Sequence, residues 1–336
     1  MMNYKHQHNM ENTMYYMETG STDPAYNLAF EQYVLENCLS GSYVILWQND
    51  NAIIIGRNQN TLQEINRQYV EDKGIRVVRR MTGGGAVYHD LGNLNYSYIT
   101  DYNENISMEA FNAPVCRALR ELGLNAESSG RNDITVDGKK VSGVAQRIYK
   151  NRILHHGCIL FAADTSVLSG ALNADPEKFT SKSVKSVSSR VANISDLLEE
   201  KIGMDEFKKR IRKELIGSGA ETFFLSDTEL DLIEDLAEKK YRSWEWNYGH
   251  SPEYTFHNKK RFAAGSIEVF LNVKNGYITD VVFFGDFMAQ TDHTAASEAL
   301  KGVRYCREDV RKALDIPDLD RMFGGITAEN IADVIS

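Results

Sequence analysis

Apolar residues recur with a helical period near the start of the chain and in short strand-like runs after it. Leu28, Val34 and Leu35 share one face of a helix predicted to begin near Pro24, with Asp23 as its N-cap. Short apolar runs bounded by Gly, Asn or Asp predict strands instead. The next predicted elements are strands at 43–47 and 52–56 joined by a polar turn, a helix at 61–73, strands at 75–79 and 93–100, a helix at 107–122 and a strand at 153–161. Strands interleaved with helices favour a mixed α/β or α+β fold over a doubly wound parallel sheet.

Turn signals and a change of character divide the rest of the chain. Asp137-Gly138 separates two short apolar runs and is the strongest hairpin signal in the sequence. The later predictions are helices within 193–242, paired strands at 262–287 around the turn Asn275-Gly276, and helices at 294–300 and from 307 onward. A chain of 336 residues allows two domains of roughly 150 residues or more. We expect a large domain at 1–250 and a small α+β domain at 251–336.

Composition narrows the classes of function. The chain is 42% hydrophobic and carries a formal net charge of −9, so no general field attracts nucleic acid or an anionic membrane. Two basic stretches without acids, at 139–152 and 178–190, suggest a site for a small anion, although solvated faces would look the same. The four cysteines form no CxxC pair, which argues against a disulfide framework or a structural zinc site. Without the apolar core of a signal peptide or a membrane span, a cytoplasmic location is expected.

A run of three glycines is the most informative motif. Gly83, Gly84 and Gly85 follow a predicted strand, where the backbone keeps glycine for positive φ or close approach. Exposed N–H groups of such a loop can bind an anion, and Arg80 just before it offers a planar donor fork suited to phosphate. No Gly-Lys-Ser/Thr follows, so this is no Walker loop, and strand-like Val87 argues against a dinucleotide fingerprint. A simple tight turn remains the alternative.

Charged residues around the predicted hairpin form the second candidate site. The turn places Lys140 at the start of the returning strand, where Gly143 leaves room and the ammonium could neutralise a carboxylate and a phosphate together. Asp133 could hold a magnesium ion or merely cap a turn. His155 and His156 are adjacent on a strand, so they must point to opposite faces, and each is by default a structural histidine.

Taken together, these motifs resemble the lipoate–protein ligases. The resemblance runs from about residue 26 to residue 193 for the large domain, and a late segment looks like the small accessory domain of two-domain members. The motifs that carry it, in order, are YNLAFEQYVLEN, ILWQNDNAIIIGRNQN, RRMTGGGAVYHDLGN, SGRNDITVDGKKVSGVAQR, HHGCIL, SVKSVSSRV and RFAAGSIEVFLNVKNGYITDVVFFGDF. The sequence departs from the family at Cys158, where a threonine is usual after HHG, and the change in volume is small.

The resemblance implies a biotin/lipoate-ligase catalytic domain, related in fold to class II aminoacyl-tRNA synthetases, followed by an accessory domain. By matching motif positions, Lys140 would contact both ATP and lipoate, and Asp133 would help place Mg²⁺. The other ATP contacts implied are Arg80, Gly85, Ala86, Val87 and Tyr88. The lipoate tunnel would be bordered by Gly84, by the strand bearing His156 and by the region 47–57, which ends at Arg57.

The implied reaction is activation of lipoate by ATP to lipoyl-AMP, then transfer to a lysine of an acceptor protein. Acceptors implied by the family are lipoyl domains of 2-oxoacid dehydrogenase complexes and the glycine-cleavage H protein. An octanoyl or lipoyl transferase on the same fold would need a nucleophilic thiol near 129–133, where this chain has none. A biotin ligase matches the lysine and glycine motifs less well, and a non-catalytic lipoate-binding module remains a third alternative.

Overall fold

Two sheets lie in the larger part of the chain. The computed structural model describes residues 13–104, 107–129, 132–172, 191–217, 219–248, 256–274 and 276–335. The strands before residue 249 are β1 (Met14–Glu18), β2 (Ser42–Trp47), β3 (Ala52–Ile55), β4 (Arg76–Arg79), β5 (Val87–His89), β6 (Asn93–Asp101), β7 (Ala126–Ser129), β8 (Asp133–Val136), β9 (Lys139–Tyr149), β10 (Arg152–Leu160) and β11 (Glu221–Thr222). Eight form a mixed sheet in the order β11-β1-β2-β6-β10-β9-β8-β7, and three form a small sheet in the order β4-β3-β5.

Helices cover both faces of the large sheet. In this part of the chain they are α1 (Pro24–Asn37), α2 (Thr61–Glu64), α3 (Arg67–Asp72), α4 (Met108–Glu121), α5 (Ser166–Ala171), α6 (Ile194–Leu197), α7 (Met204–Ile216), α8 (Asp227–Leu236), a π-helical turn (Ala237–Tyr241) and α9 (Trp244–Asn247). One face packs against α4 and α7 in an apolar core that includes Leu94, Leu119 and Phe207. The other face packs against α1 and the small sheet, with Leu28 and Ile54 in its core. The space between this second face and the small sheet holds the candidate site.

The remaining described residues form an α+β unit with its own core. Its elements are β12 (Phe256–Phe262), β13 (Gly265–Lys274), β14 (Tyr277–Gly285), α10 (Thr294–Leu300), α11 (Arg307–Ala313), α12 (Leu319–Phe323) and α13 (Ala328–Ile335). The three strands pair in the order β12-β13-β14 and the helices pack on them. Phe287 and Gln290, after β14, accept backbone hydrogen bonds from Gly84 (3.1 Å) and Ile148 (2.9 Å). This segment therefore abuts the glycine loop.

Most local predictions are confirmed. The Asp23 carboxylate caps α1 by accepting from Ala25 N at 3.2 Å. Asp137 and Gly138 join β8 to β9 with φ of 49° and 76°, which matches a type I′ hairpin turn. No described helix is both long enough and apolar enough to span a bilayer. The predicted domain boundary falls within 249–255, outside the described residues, so the division at 250 stays a prediction.

One local prediction was wrong in detail. The predicted helix at 61–73 is broken into α2 and α3, because Ile65 leaves the helical path to bridge Leu172, and Asn66 caps α3 by accepting from Tyr69 N. The strands predicted at 43–47 and 52–56 are confirmed, and β2 pairs in the large sheet while β3 pairs in the small one. The strand β12 was not predicted.

Candidate functional site

A cavity of about 300 Å³ lies over one cross-strand row of the large sheet. The row runs over adjacent strands from Trp47 through Asn95, Cys158 and Gly143 to Asp133, each directly opposite the next. Directly opposed residues point to the same face, so these positions form a continuous floor. With neighbouring strands about 4.8 Å apart, Trp47 lies roughly 14 Å from Gly143. The cavity therefore has two well-separated ends.

One end is cationic. Lys140 Nζ lies 2.6 Å from Asp133 Oδ1, and both side chains are about one-third exposed, at 37% and 34%. In a regular strand Lys140 and Gly143 would face opposite sides, but the β8–β9 register shifts between Ile134 and Thr135. This irregularity turns the lysine to the cavity side. A Cβ on Gly143 would lie 3.1 Å from Lys140 Nζ, so the glycine gives the ammonium its space, as predicted.

Arg80 holds the backbone of the glycine loop by hydrogen bonds. It is 7% exposed, and its guanidinium donates to Thr82 Oγ1 (3.0 Å) and to the carbonyls of Ile54 (3.0 Å), Gly83 (2.6 Å) and Gly85 (2.9 Å). Burial lowers its pKa to about 10, so the group stays charged at neutral pH. Its positive charge therefore lies next to the loop, and its hydrogen bonds fix the loop backbone instead of being directed into the cavity.

A buried hydrogen-bond chain continues from Arg80 to a carboxylate. His156 connects to Thr82 through Nε2 (2.8 Å) and to Glu31 Oε1 through Nδ1 (2.8 Å). Ser97 Oγ donates to the same Glu31 oxygen at 2.6 Å and accepts from the Trp47 indole N–H at 2.9 Å. The Glu31 carboxylate is the terminal acceptor of these hydrogen bonds, because Ser97 Oγ and His156 Nδ1 both donate to it. Glu31 is 1% exposed and was not predicted from the sequence.

The two adjacent histidines face opposite sides, as predicted. His155 stacks on Phe111 with ring centroids 4.8 Å apart, lies 3.3 Å from Gln146, and belongs to the core side. Burial lowers the pKa of His155 to about 3, so it is neutral. His156 faces the cavity instead.

Most predicted site residues lie on the cavity wall, and two of them, Arg57 and Asp133, do not. The lining includes Arg80, Gly84, Gly85, Ala86, Val87, Tyr88, Lys140 and His156. Arg57 is absent from that wall: it pairs with Asp292 and lies over the Trp246 ring at 5.4 Å. Its predicted contact with lipoate stays a prediction. Gly130, Arg131 and most of the motif SVKSVSSRV, up to Arg190, lie outside the described residues.

The cavity wall also contains residues that the motifs did not single out. Leu28, Ile54, His89, Asn95 and Met288 all line it. Met288 comes from the segment after β14, more than 140 residues further along the chain than Lys140. Only tertiary packing brings these side chains together, so periodicity and turn chemistry could not place them at one site.

The metal and thiol candidates can be judged by their surroundings. Within the described ranges no three His, Cys, Asp or Glu side chains gather as metal ligands, so Asp133 is a single carboxylate beside Lys140. Cys158 lies in the floor, where Asn93 Nδ2 lies 3.2 Å from its sulfur. Burial raises the pKa of Cys158 to about 12, so it remains a protonated thiol at neutral pH.

Gly56 tests how tightly the glycine loop is seated. A Cβ at this position would lie 1.8 Å from the Gly84 carbonyl oxygen, so Gly56→Ala must displace backbone. We expect a loss of about 3 kcal/mol in the free energy of unfolding, measured by urea titration. Gly85→Ala is the matched control, because nothing described lies within 4 Å of its Cβ and its φ is not in the left-handed region. Equal stability of the two variants would contradict the close approach of the Gly84 carbonyl to Gly56.

Family models match both parts of the chain. The Lipoyl protein ligase A/B catalytic domain matches residues 23–216, and the Bacterial lipoate protein ligase C-terminus matches residues 251–335. Among curated proteins, the lipoate–protein ligase LplJ of Bacillus subtilis is 41% identical over 320 residues, covering 93% of this chain and 97% of its own. Lipoate–protein ligase 1 of Staphylococcus aureus is 42% identical over 319 residues, covering 94% and 97%.

Solved structures show the same fold. The P. falciparum protein LipL1 in complex with lipoate has a TM-score of 0.76 at 27% identity, covering 90% of this chain and 94% of its own. A lipoate–protein ligase A bound with ATP has a TM-score of 0.60 at 29% identity, covering 71% and 99%. A bipartite ligase from Thermoplasma acidophilum, studied with its E2 lipoyl domain, has a TM-score of 0.63 at 30% identity, covering 74% and 100%.

Proposed function

This chain belongs to the lipoate–protein ligase family and ligates lipoate to protein with ATP. We propose that Lys140, at the cationic end of the cavity, contacts both lipoate and ATP. The fold is the expected one: a catalytic domain of the biotin/lipoate-ligase type, related to class II aminoacyl-tRNA synthetases, with a small α+β accessory unit. The observation that carries the proposal is the cross-strand row, with Trp47 at one end and Asp133, the ion-pair partner of Lys140, at the other.

The geometry supports one orientation of lipoate. Its carboxylate requires a cation, and Lys140 is a flexible ammonium on the cavity wall. Its pentanoate tail and five-membered ring span on the order of 10 Å by standard bond lengths. That length fits the stretch of floor between Lys140 and the indole of Trp47, with Cys158 and Asn95 between them. The carboxylate end thus meets the nucleotide, and the ring lies beside the indole of Trp47.

The first half-reaction joins two anions. A lipoate carboxylate oxygen attacks the α-phosphorus of ATP, the bond to the β-phosphate oxygen breaks, and lipoyl-AMP and pyrophosphate form. Preorganised positive charge at the point of attack is the main requirement. Lys140, the N–H groups of the loop at 84–88 and the fixed charge of Arg80 beneath it would provide this stabilisation.

A Mg²⁺ ion fits the site if the protein and the nucleotide both provide its ligands. The ion is usually held by one or two carboxylates together with substrate phosphates, and Asp133 is one such carboxylate at the cationic end. When bound, it would offset phosphate charge.

The second half-reaction transfers the acyl group. The amine of an acceptor lysine attacks the acyl carbon of lipoyl-AMP, an amide bond forms, AMP leaves and the amine loses a proton. With a reference pKa of about 10.4, only roughly one lysine in 10³ to 10⁴ is neutral at pH 7, so desolvation beside a cationic site must lower that pKa. Lys140 stabilises charge and carries no acyl group.

We take lipoyl domains of 2-oxoacid dehydrogenase complexes and the glycine-cleavage H protein as the acceptors. The archaeal neighbour studied with its E2 lipoyl domain supports the first class. A cytoplasmic location, where such complexes would be met, stays a prediction.

The environment of Cys158 disfavours a transferase mechanism. Such an enzyme needs a thiolate nucleophile, and burial raises the pKa of the Cys158 thiol to about 12. The other three cysteines do not line the cavity.

Pyrophosphate exchange tests the proposal. We expect lipoate to drive exchange of labelled pyrophosphate into ATP, biotin to drive none, and an acyl-carrier donor without ATP to give no product. Exchange with biotin alone, or acyl transfer without ATP, would replace this proposal with the corresponding alternative. Lipoate binding without any ATP consumption would identify a binding module.

A further inference from the structure

His89 presents a buried N–H donor at the apolar end of the cavity. Asn27 Nδ2 donates to the backbone oxygen of Gln48 (2.8 Å) and to Asn49 Oδ1 (2.9 Å), which orients the Asn49 amide. Asn49 Nδ2, 3.1 Å from His89 Nδ1, is then the donor to that nitrogen. Burial lowers the pKa of His89 to about 3, so the ring is neutral and its single proton lies on Nε2.

That Nε2–H has no hydrogen-bond partner among the described residues, although the atom is fully buried. The Nδ2 amide of Asn95 is in the same situation, and this side chain is 1% exposed. Both residues line the cavity. A buried donor without a partner loses its hydrogen bond to water without compensation, so two such donors at one site point to a ligand that satisfies them.

Both donors lie beside Trp47. Asn95 is directly opposite Trp47 in the β2–β6 register, and the His89 ring meets the indole edge-on with centroids 6.5 Å apart. In the cross-strand row, Asn95 is two strands and about 10 Å away from Gly143, which lies beside the Lys140 ammonium. An acid whose carboxylate is at Lys140 therefore brings the far end of its chain to these two donors.

We propose that His89 and Asn95 form a sulfur-reading subsite, which selects a dithiolane ring over an unsubstituted aliphatic chain of the same length. This inference rests on the proposed function and names the feature of the substrate that the far end recognises. A dithiolane has two sulfur atoms that can each accept a weak hydrogen bond, while the corresponding methylenes of octanoate accept none. Octanoate would leave both buried donors unsatisfied, which is the arrangement by which sites reject analogues that lack a polar group.

The test is the ratio of kcat/KM for lipoate to kcat/KM for octanoate in pyrophosphate exchange. This ratio does not depend on the fraction of enzyme that is folded. We expect the wild-type ratio to exceed one, His89→Phe and Asn95→Leu to lower it about threefold each, and the double variant to lower it about tenfold. The fall should come from weaker use of lipoate together with equal or better use of octanoate.

Asn112→Leu is the matched control. Asn112 is also a buried asparagine with an unpartnered amide atom within the described structure, but it lies on α4 at the opposite face of the sheet. We expect it to leave the ratio unchanged. If the double variant were inactive, the same ratio would be read from the calorimetric affinities of the two acids.

An unchanged ratio in both single variants and the double variant would overturn the sulfur-reading subsite while leaving the ligase activity intact. Failure of lipoate to drive exchange in the wild-type enzyme would instead remove the proposed function on which the subsite rests.

Discussion

Lys140→Ala is expected to lower lipoate-dependent pyrophosphate exchange by about 10²- to 10³-fold, the effect of removing a preorganised charge from a developing anionic centre. The Lys140 ammonium lies 2.6 Å from Asp133 and is about one-third exposed, so the fold does not depend on it. The variant should therefore unfold within about 1 kcal/mol of the wild type. Steady-state exchange kinetics and a thermal melt together measure the two effects.

Lys139→Ala is the control for this experiment. Lys139 precedes Lys140 on β9, carries the same charge and is exposed outside the cavity. It should exchange pyrophosphate at close to the wild-type rate. Equal losses in the two variants would mean that general charge at the hairpin matters, and near-normal exchange in Lys140→Ala would remove this residue from the mechanism.

Arg80→Lys is expected to lower exchange about 10²-fold and to reduce the free energy of unfolding by about 3 kcal/mol. A lysine keeps the charge but lacks the planar fork that holds the carbonyls of Ile54, Gly83 and Gly85. Buried carbonyls without donors account for the stability loss, and a loop released from its clamp accounts for the rate loss.

Arg67→Lys is the comparison, since Arg67 forms an exposed pair with Glu71 one helical turn away and should tolerate the change in both measurements. If Arg80→Lys lost activity with unchanged stability, Arg80 would act directly on substrate. That result would favour the predicted contact of Arg80 with ATP over a purely structural role in holding the loop.

Local chemistry explains which features the sequence could predict. The Asp137-Gly138 turn needs positive φ at two successive positions, a requirement written in two residues, and the hairpin is confirmed. The Asp23 cap and the opposed faces of His155 and His156 likewise depend on near neighbours. The glycine loop and Lys140 were predicted to lie at one site because the family motifs combine them, and the structure brings them to one cavity.

Features that depend on distant residues were not predictable from patterns. Glu31 appears in the sequence as one acid in a helix, but it accepts from His156, 125 residues away. The orientation of the Lys140 side chain towards the cavity depends on a register shift that no residue type in the sequence predicts. Arg57 belongs to a family motif, yet its contacts are Asp292 and Trp246, which come from later parts of the chain.

A crystal structure with bound lipoyl-AMP tests the central claim most directly. The account predicts that Lys140 Nζ leaves Asp133 to lie within hydrogen-bond distance of both the acyl carbonyl and the α-phosphate, with the dithiolane ring beside Trp47. An ammonium that stays on Asp133 or points to solvent, or an acyl chain that runs away from Trp47, would contradict it.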